Sequence, residues 1–476
     1  SGLERALDGV YLDLAPIVLD AGADVGPAAH ELLRLVEAAG VAKDAAHGNL
    51  GADPLAYEAR TGAELGTDAA VELARLCGRE YGGLRALTVD ALPYHEAGGS
   101  AAQELGASLA TGVAYLRLLT GAGLTLQEAC AQLEFRYAAT ADQFLTIAKL
   151  RAARRLWARV AEASGDVDAG AQRQHAVTSP VMMARRDPWV NMLRTTVACL
   201  SAGAGGADAV TVLPFDHSLG LPDAFARRIA RNTSTILLEE SHLARVIDPA
   251  GGSYYVERLT DELAHAAWDF FQEIERAGGQ AAALRSGMLG ERLAATWAER
   301  GRKLAKRREP ITGVSEFPNL AEKPVERESA YELFRRGSRL LAQHHPGAAA
   351  VLLERCLALE PGKASILEAL GHDVRALRDD GHVGAVVLGE PRQGAFDQGA
   401  AEASAPGRSG DRQRPGQDGA RDGGRPLLGH GIDRDLPDRG RAGDAHRDVG
   451  QPRDPVERLG PDRARRPFRG SHHGCA

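Results

Sequence analysis

A chain of 476 residues, 44% hydrophobic and 25% charged, has enough apolar material for two or three domains with cores of their own. A formal net charge of −7 and a pI near 6.1 argue against a nucleic-acid protein, which needs a local surplus of Lys and Arg on a folded surface. The five Cys show no CxxC or His-paired spacing, so neither a zinc site nor a disulfide framework is indicated. They are expected to be small buried hydrophobes in a reducing compartment. No apolar run reaches the roughly 18 residues that span a bilayer, and a cytoplasmic protein without a membrane partner is expected. The first residue is Ser1, and Gly2 to Asp8 reads like the middle of a domain, so an N-terminally truncated unit is expected.

From Gly9 onward, short β-like runs alternate with longer helical ones, the pattern of a parallel sheet wrapped by helices. The spacing predicts strands at Val10–Leu14, Leu84–Val89 and Ala209–Leu213. Amphipathic helices are predicted over Ala28–Ala38, Ala101–Leu118, Gln143–Val160, Ala224–Ser241 and Leu259–Ala277, where apolar residues recur near i, i+3 and i+4. Asp187-Pro188 and Leu221-Pro222-Asp223 each place a carboxylate beside a Pro at a helix start. Gly251-Gly252 breaks the chain before the strand-like Ser253-Tyr254-Tyr255-Val256.

Beyond Tyr331 the pattern becomes a helical hairpin. Leu333, Gly337, Leu340, Ala349, Leu353, Cys356 and Pro361 fall at the small and large positions of a tetratricopeptide repeat, with a second begun at Leu367, Leu370 and Gly371. Residues 401–476 carry 15 Arg, no Lys and a single aromatic, Phe468, a composition expected to be disordered. The expected organisation is a barrel-type domain over 1–320, a repeat-like helical segment over 328–371 and a disordered tail over 390–476.

The central stretch is specific. The helix Phe144 to Trp157 is followed by Arg173-Gln174-His175-Ala176-Val177-Thr178-Ser179, then by Asp187-Pro188-Trp189-Val190-Asn191 and Arg194-Thr195. After these come Leu219-Gly220-Leu221-Pro222, Arg228-Ile229-Ala230-Arg231-Asn232-Thr233 and Asp248-Pro249-Ala250-Gly251-Gly252-Ser253-Tyr254-Tyr255. In this order the blocks resemble the methylmalonyl-CoA mutase family. The resemblance implies a (β/α)8 TIM-type barrel, here incomplete at its N-terminal side. It also implies an isomerase that interconverts methylmalonyl-CoA and succinyl-CoA, in which adenosylcobalamin supplies the radical and the protein places and shields the substrate.

Departures from the family's catalytic pattern indicate the type of subunit. Catalytic chains carry Arg-Thr-His-Ser-Gln-Thr-Ser-Gly-Trp; here His175 is kept, but Val177 stands for Gln and Pro180-Val181 for Gly-Trp. At the last predicted strand, Thr211-Val212-Leu213 replaces His-Thr-Asn. Aliphatic groups cannot hold a polar substrate through paired hydrogen bonds. These positions are similar to the family's small, non-catalytic subunit, which implies a large catalytic partner that binds the acyl-CoA and the adenosylcobalamin. No cofactor and no metal are expected on this chain, since Asp380-Gly381-His382-Val383-Gly384 is one residue short of the family's Asp-x-His-x-x-Gly cobalamin phrase. The resemblance leaves four candidate residues. His175 is a catalytic candidate or a vestige of one, and Tyr94, His95 and Arg151 are substrate-binding candidates. Set against these are plainer roles: a satisfied buried imidazole for His175, and a structural ion pair for Arg151.

Overall fold

The computed structural model describes residues 2–325, 327, 330–342, 349, 352, 353 and 356, all within the unit Ser1–Val387. The chain begins with α1 (Gly2–Ala6), β1 (Ile17–Val18), α2 (Val25–Ala38), β2 (Gly48–Ala52), α3 (Pro54–Thr61), α4 (Asp68–Glu80) and β3 (Leu84–Asp90). It continues through α5 (Leu92–Glu96), α6 (Ala101–Gly121), α7 (Leu126–Ala131), β4 (Leu133–Ala139), α8 (Gln143–Ala163) and β5 (Gln174–Thr178). Then come α9 (Asn191–Ala204), β6 (Ala209–Thr211), α10 (Ala224–Thr235), α11 (Tyr254–Arg276), α12 (Gln280–Arg285), α13 (Met288–Ala305) and α14 (Ala330–Ala342).

The strands form one sheet in the order β1-β2-β3-β4-β5-β6, every pair parallel, curled into half of an α/β barrel. This is the TIM-type architecture expected. Every residue of β4 and β5 is buried, as strands covered on both faces must be. Their outward residues, among them Phe135, Tyr137 and Ala176, join the main core with Leu87 and Val89 of β3. Trp157 of α8 is fully buried and meets Phe135 edge-on, with ring centroids 4.6 Å apart.

Local signals set the helix starts. Ser100 and Gln103 make a reciprocal capping box at α6, Thr125 and Glu128 do the same at α7, and Asp142 accepts from the Leu145 N–H at α8. Asp223 caps α10 through the Ala226 N–H, 2.7 Å away. Asp187, in contrast, has φ +45° and caps nothing. Its own N–H donates to Glu322 Oε1, and Pro188–Val190 forms a short 3-10 turn ahead of α9.

Three predicted elements are corrected. Val10–Leu14 is a turn: Tyr11 and Leu14 are about three-quarters exposed, and the Leu14 and Ala15 N–H groups bond locally to the Tyr11 carbonyl, so no ladder partner is needed. The first strand is Ile17–Val18. Ser253–Val256 opens α11, because Val256, Thr260, Leu263, Ala264 and Ala267 form a buried stripe at helical spacing that outweighs the local β preference of Tyr-Tyr-Val. The helix predicted over Ala224–Ser241 is α-helical to Thr235 and changes to a π-helix over Ile236–Glu240. β2, β4 and β5 were not predicted as strands.

Of the repeat-like stretch, α14 and a few positions beyond it are described, and Leu333, Ala349, Leu353 and Cys356 are buried. The remainder of 328–371, the tail 390–476 and the Asp380–Gly384 phrase lie outside the described residues. Among the described residues no helix is long and apolar enough to cross a membrane.

The helices α6, α8 and α11 pack together over the outer face of the sheet. At Gly106 of α6 an added Cβ would sit 2.9 Å from the Ala267 carbonyl oxygen and 3.0 Å from the Phe271 nitrogen, so only hydrogen fits between α6 and α11. Gly106→Leu is therefore expected to force the helices apart and lower stability by about 1–3 kcal/mol or more, read as a fall in Tm with loss of cooperativity. An unchanged melting curve would show that the crossing is not tight.

Candidate functional site

The concave face of the half-barrel carries a set of levels fixed by strand register. Thr88 lies beside Glu134; Asp90, Arg136 and His175 share the next level; Ala138 and Val177 share the one above. Charge is concentrated at the middle level. Arg136 Nη1 lies 3.0 Å from Asp20 Oδ2 and 3.5 Å from Asp90 Oδ2, and Arg60 Nη2 donates to the same Asp90 oxygen at 2.8 Å. Asp53 stands behind them, accepting from the Asp90 N–H at 2.7 Å and from the Ala56 N–H and the Tyr115 hydroxyl. Burial and the neighbouring Asp90 charge push the Asp53 carboxyl up to about 7.

Above this level the wall turns apolar. Leu92, Ala138 and Val177 form a separate buried cluster against which Leu213 packs, so the C-terminal end of the concave face presents aliphatic groups. Val177 and Leu213 thus sit together where the sequence suggested a loss of polarity. The face as a whole is not apolar, since the charged level lies directly beneath.

The four candidate residues do not converge. His175 belongs to the inner face: its Nε2 pairs with Thr211 Oγ1 at 2.7 Å, and its Nδ1 makes no hydrogen bond among the described residues, lying 3.9 Å from Glu134 Oε1. Desolvation, reinforced by Arg136, pushes its pKa down to about 4, so it is a neutral imidazole at physiological pH. His95 sits in α5, away from that face, with Nε2 2.6 Å from Ser179 Oγ and Nδ1 3.6 Å from Glu104 Oε2; burial pushes it too down to about 4. Tyr94 is buried near Thr111 and Gln280, without a well-formed hydrogen bond on its hydroxyl among the described residues. Arg151 reaches outward from α8 to Asp248 Oδ2 at 3.1 Å and Glu257 Oε1 at 2.7 Å, tying α8 to the start of α11.

Sequence reasoning missed the charged level and the pair beneath His95, in which Lys149 Nζ meets Glu104 Oε2 at 2.6 Å inside the helix layer. A signal existed for part of it. In Leu133-Glu134-Phe135-Arg136-Tyr137 charged and apolar residues alternate with period two, which marks a strand whose charges share a face.

Comparison with known proteins now decides the family. The profile described as methylmalonyl-CoA mutase matches residues 1–355. The chain belongs to the methylmalonyl-CoA mutase family. It is 81% identical over 331 residues to a methylmalonyl-CoA mutase small subunit of Streptomyces virginiae, covering 69% of this chain and 54% of that protein. The small subunit of Propionibacterium freudenreichii subsp. shermanii is 45% identical over 327 residues, 68% of this chain and 51% of that protein. A methylmalonyl-CoA mutase of Escherichia coli is 40% identical over 205 residues, 42% of this chain and 29% of that protein. The chain spans about half the length of these small-subunit relatives.

Within this mutase-family half-barrel the two neutral imidazoles make stability depend on pH. Between pH 6.5 and about 4 the unfolded chain protonates each His while the folded chain does not, so stability falls as pH falls through that window. Asp53, raised to about 7, acts with the opposite sign: the stability it contributes below its unfolded pKa is lost as pH rises through 7. Comparing His175→Asn with the parent cancels the Asp53 effect. The variant is expected to lose about 1–3 kcal/mol less than the parent between pH 7 and 4.5, measured by urea unfolding. Parallel stability profiles would show that His175 is not held neutral by the fold.

Proposed function

We propose that this chain acts as a small, non-catalytic subunit of an adenosylcobalamin-dependent methylmalonyl-CoA mutase, supporting a large catalytic partner on which methylmalonyl-CoA and succinyl-CoA are interconverted. The carrying observation is the aliphatic cluster of Leu92, Ala138, Val177 and Leu213 at the C-terminal end of the concave face. A migrating thioester and its carboxylate would need hydrogen-bond donors there, and barrel enzymes place their working groups at that end. The small-subunit names of the relatives in Streptomyces virginiae and Propionibacterium freudenreichii support the same reading.

In this role the chain's residues maintain shape. His175 holds Thr211 at the β6 edge, and the Arg136, Asp90, Asp20 and Arg60 network fixes the middle level of the face. No residue of this chain is assigned to the cobalamin, whose radical chemistry belongs to the partner in this proposal.

Co-expression with the large mutase subunit of the same genome is expected to give a co-purifying complex. In that complex His175→Ala should leave turnover within about twofold, with thermal melting and subunit association measured on the same preparations. A drop of roughly 10²-fold, the scale of a lost acid or hydrogen-bond donor, with both controls unchanged would make the chain catalytic and overturn the proposal.

A further inference from the structure

Residues of α6, α8, α9 and α13, with segments that follow β3, β4 and β5 such as His95, Thr140 and Ser179, line a pocket of about 860 Å³. Its size is that of a small-molecule pocket. Leu145, Val181, Met182, Leu193, Val197 and Ile311 give it apolar walls, and the Ser179–His95 and Glu104–Lys149 pairs form its polar floor.

The cations around this cavity differ in one respect. Lys149 is paired with Glu104 at 2.6 Å, Arg300 with Glu309 at 3.2 Å and Lys303 with Glu299 at 2.8 Å. Arg194 has no carboxylate within 4.0 Å among the described residues. Its Nη1 donates to Asn191 Oδ1 at 2.8 Å and its Nη2 to the Thr312 carbonyl, two contacts that fix the guanidinium and, among the described residues, leave three of its five N–H groups unused. Burial lowers its pKa and outweighs the opposing pull of the Asp187 carboxylate, the direction expected for a positive charge taken out of water with only partial compensation. A half-buried, immobilised guanidinium beside apolar walls is suited to a carboxylate whose tail is apolar.

We propose that this cavity binds a small amphiphilic monocarboxylate, its carboxylate on Arg194 and its alkyl body against Val181, Met182, Leu145 and Leu193. A dianionic phosphate fits less well, because the other cations are already neutralised and Glu299 and Glu309 stand at the same rim. The inference is independent of the subunit role, and its test does not use mutase activity.

The full chain is titrated calorimetrically with octanoate, with octanol as the neutral analogue, acetate as the tail-less one and octyl phosphate as the dianion. Saturable octanoate binding at least about tenfold tighter than each of the other three is expected. Arg194→Gln should bring octanoate down to the level of octanol. Val181→Phe, which adds bulk to the pocket's apolar lining and leaves Arg194 in place, should abolish both. Melting curves establish that each variant is folded, and either variant alone suffices if the other is not. Absence of saturable octanoate binding, an affinity that Arg194→Gln leaves unchanged, or tighter binding of octyl phosphate would each overturn the proposal.

Discussion

The ion pair between Lys149 and Glu104 holds the centre of this structure. Both side chains are almost fully buried, and together they satisfy one strand end: Lys149 Nζ donates to the Ala138 carbonyl at 2.5 Å, and Glu104 Oε1 accepts from the Ala138 N–H at 2.8 Å. The β3 ladder stops at Asp90, opposite Arg136, so Ala138 has no strand partner on that side. The pair supplies the missing donor and acceptor and in doing so ties α6 and α8 to β4. Glu104 then reaches His95 Nδ1, and His95 reaches Ser179 after β5, so five elements meet around two charges. Removing one partner of such a pair leaves a lone buried charge, a defect of several kcal/mol.

Two physical scales explain what the sequence revealed and what it hid. The long helices were legible because their buried stripes recur over many turns: α6 and α8 were located to within a few residues, and α11 was located from its second turn onward. Leu84–Val89 was legible as a short β-like run between helical stretches, apolar except for Arg85 and Thr88. β2 was not, because Gly-Asn-Leu-Gly-Ala has little β preference and is a strand only through its neighbours. β4 and β5 carry charged and polar residues on the inner face, which breaks the apolar run by which a buried parallel strand is usually recognised. Tyr254 and Tyr255 misled in the opposite sense, as exposed aromatics at the start of a helix.

The candidate site was legible only as a list of residues. Val177 and Leu213 meet, as their replacement of polar residues suggested. The grouping of Asp20, Arg60, Asp90 and Arg136 depends on register between β3 and β4 and on loops far apart in the chain, which no local pattern encodes. His175 and His95 illustrate the same limit: both looked like candidates for one site, and strand register places one on the concave face while the chain after β3 places the other in the helix layer.

The order of the sheet has a consequence for how the chain is made. Strand order equals sequence order, and each parallel pairing waits for a helical crossover to be completed. During synthesis every new strand therefore docks on the edge most recently finished, never between two earlier ones. Growth from the N-terminus needs no rearrangement of what has already formed, which offsets part of the delay that distant pairings impose on parallel sheets. Among the described residues the last strand to appear is β6, where Ala209 and Thr211 remain exposed, so the youngest strand of this sheet is also an open one.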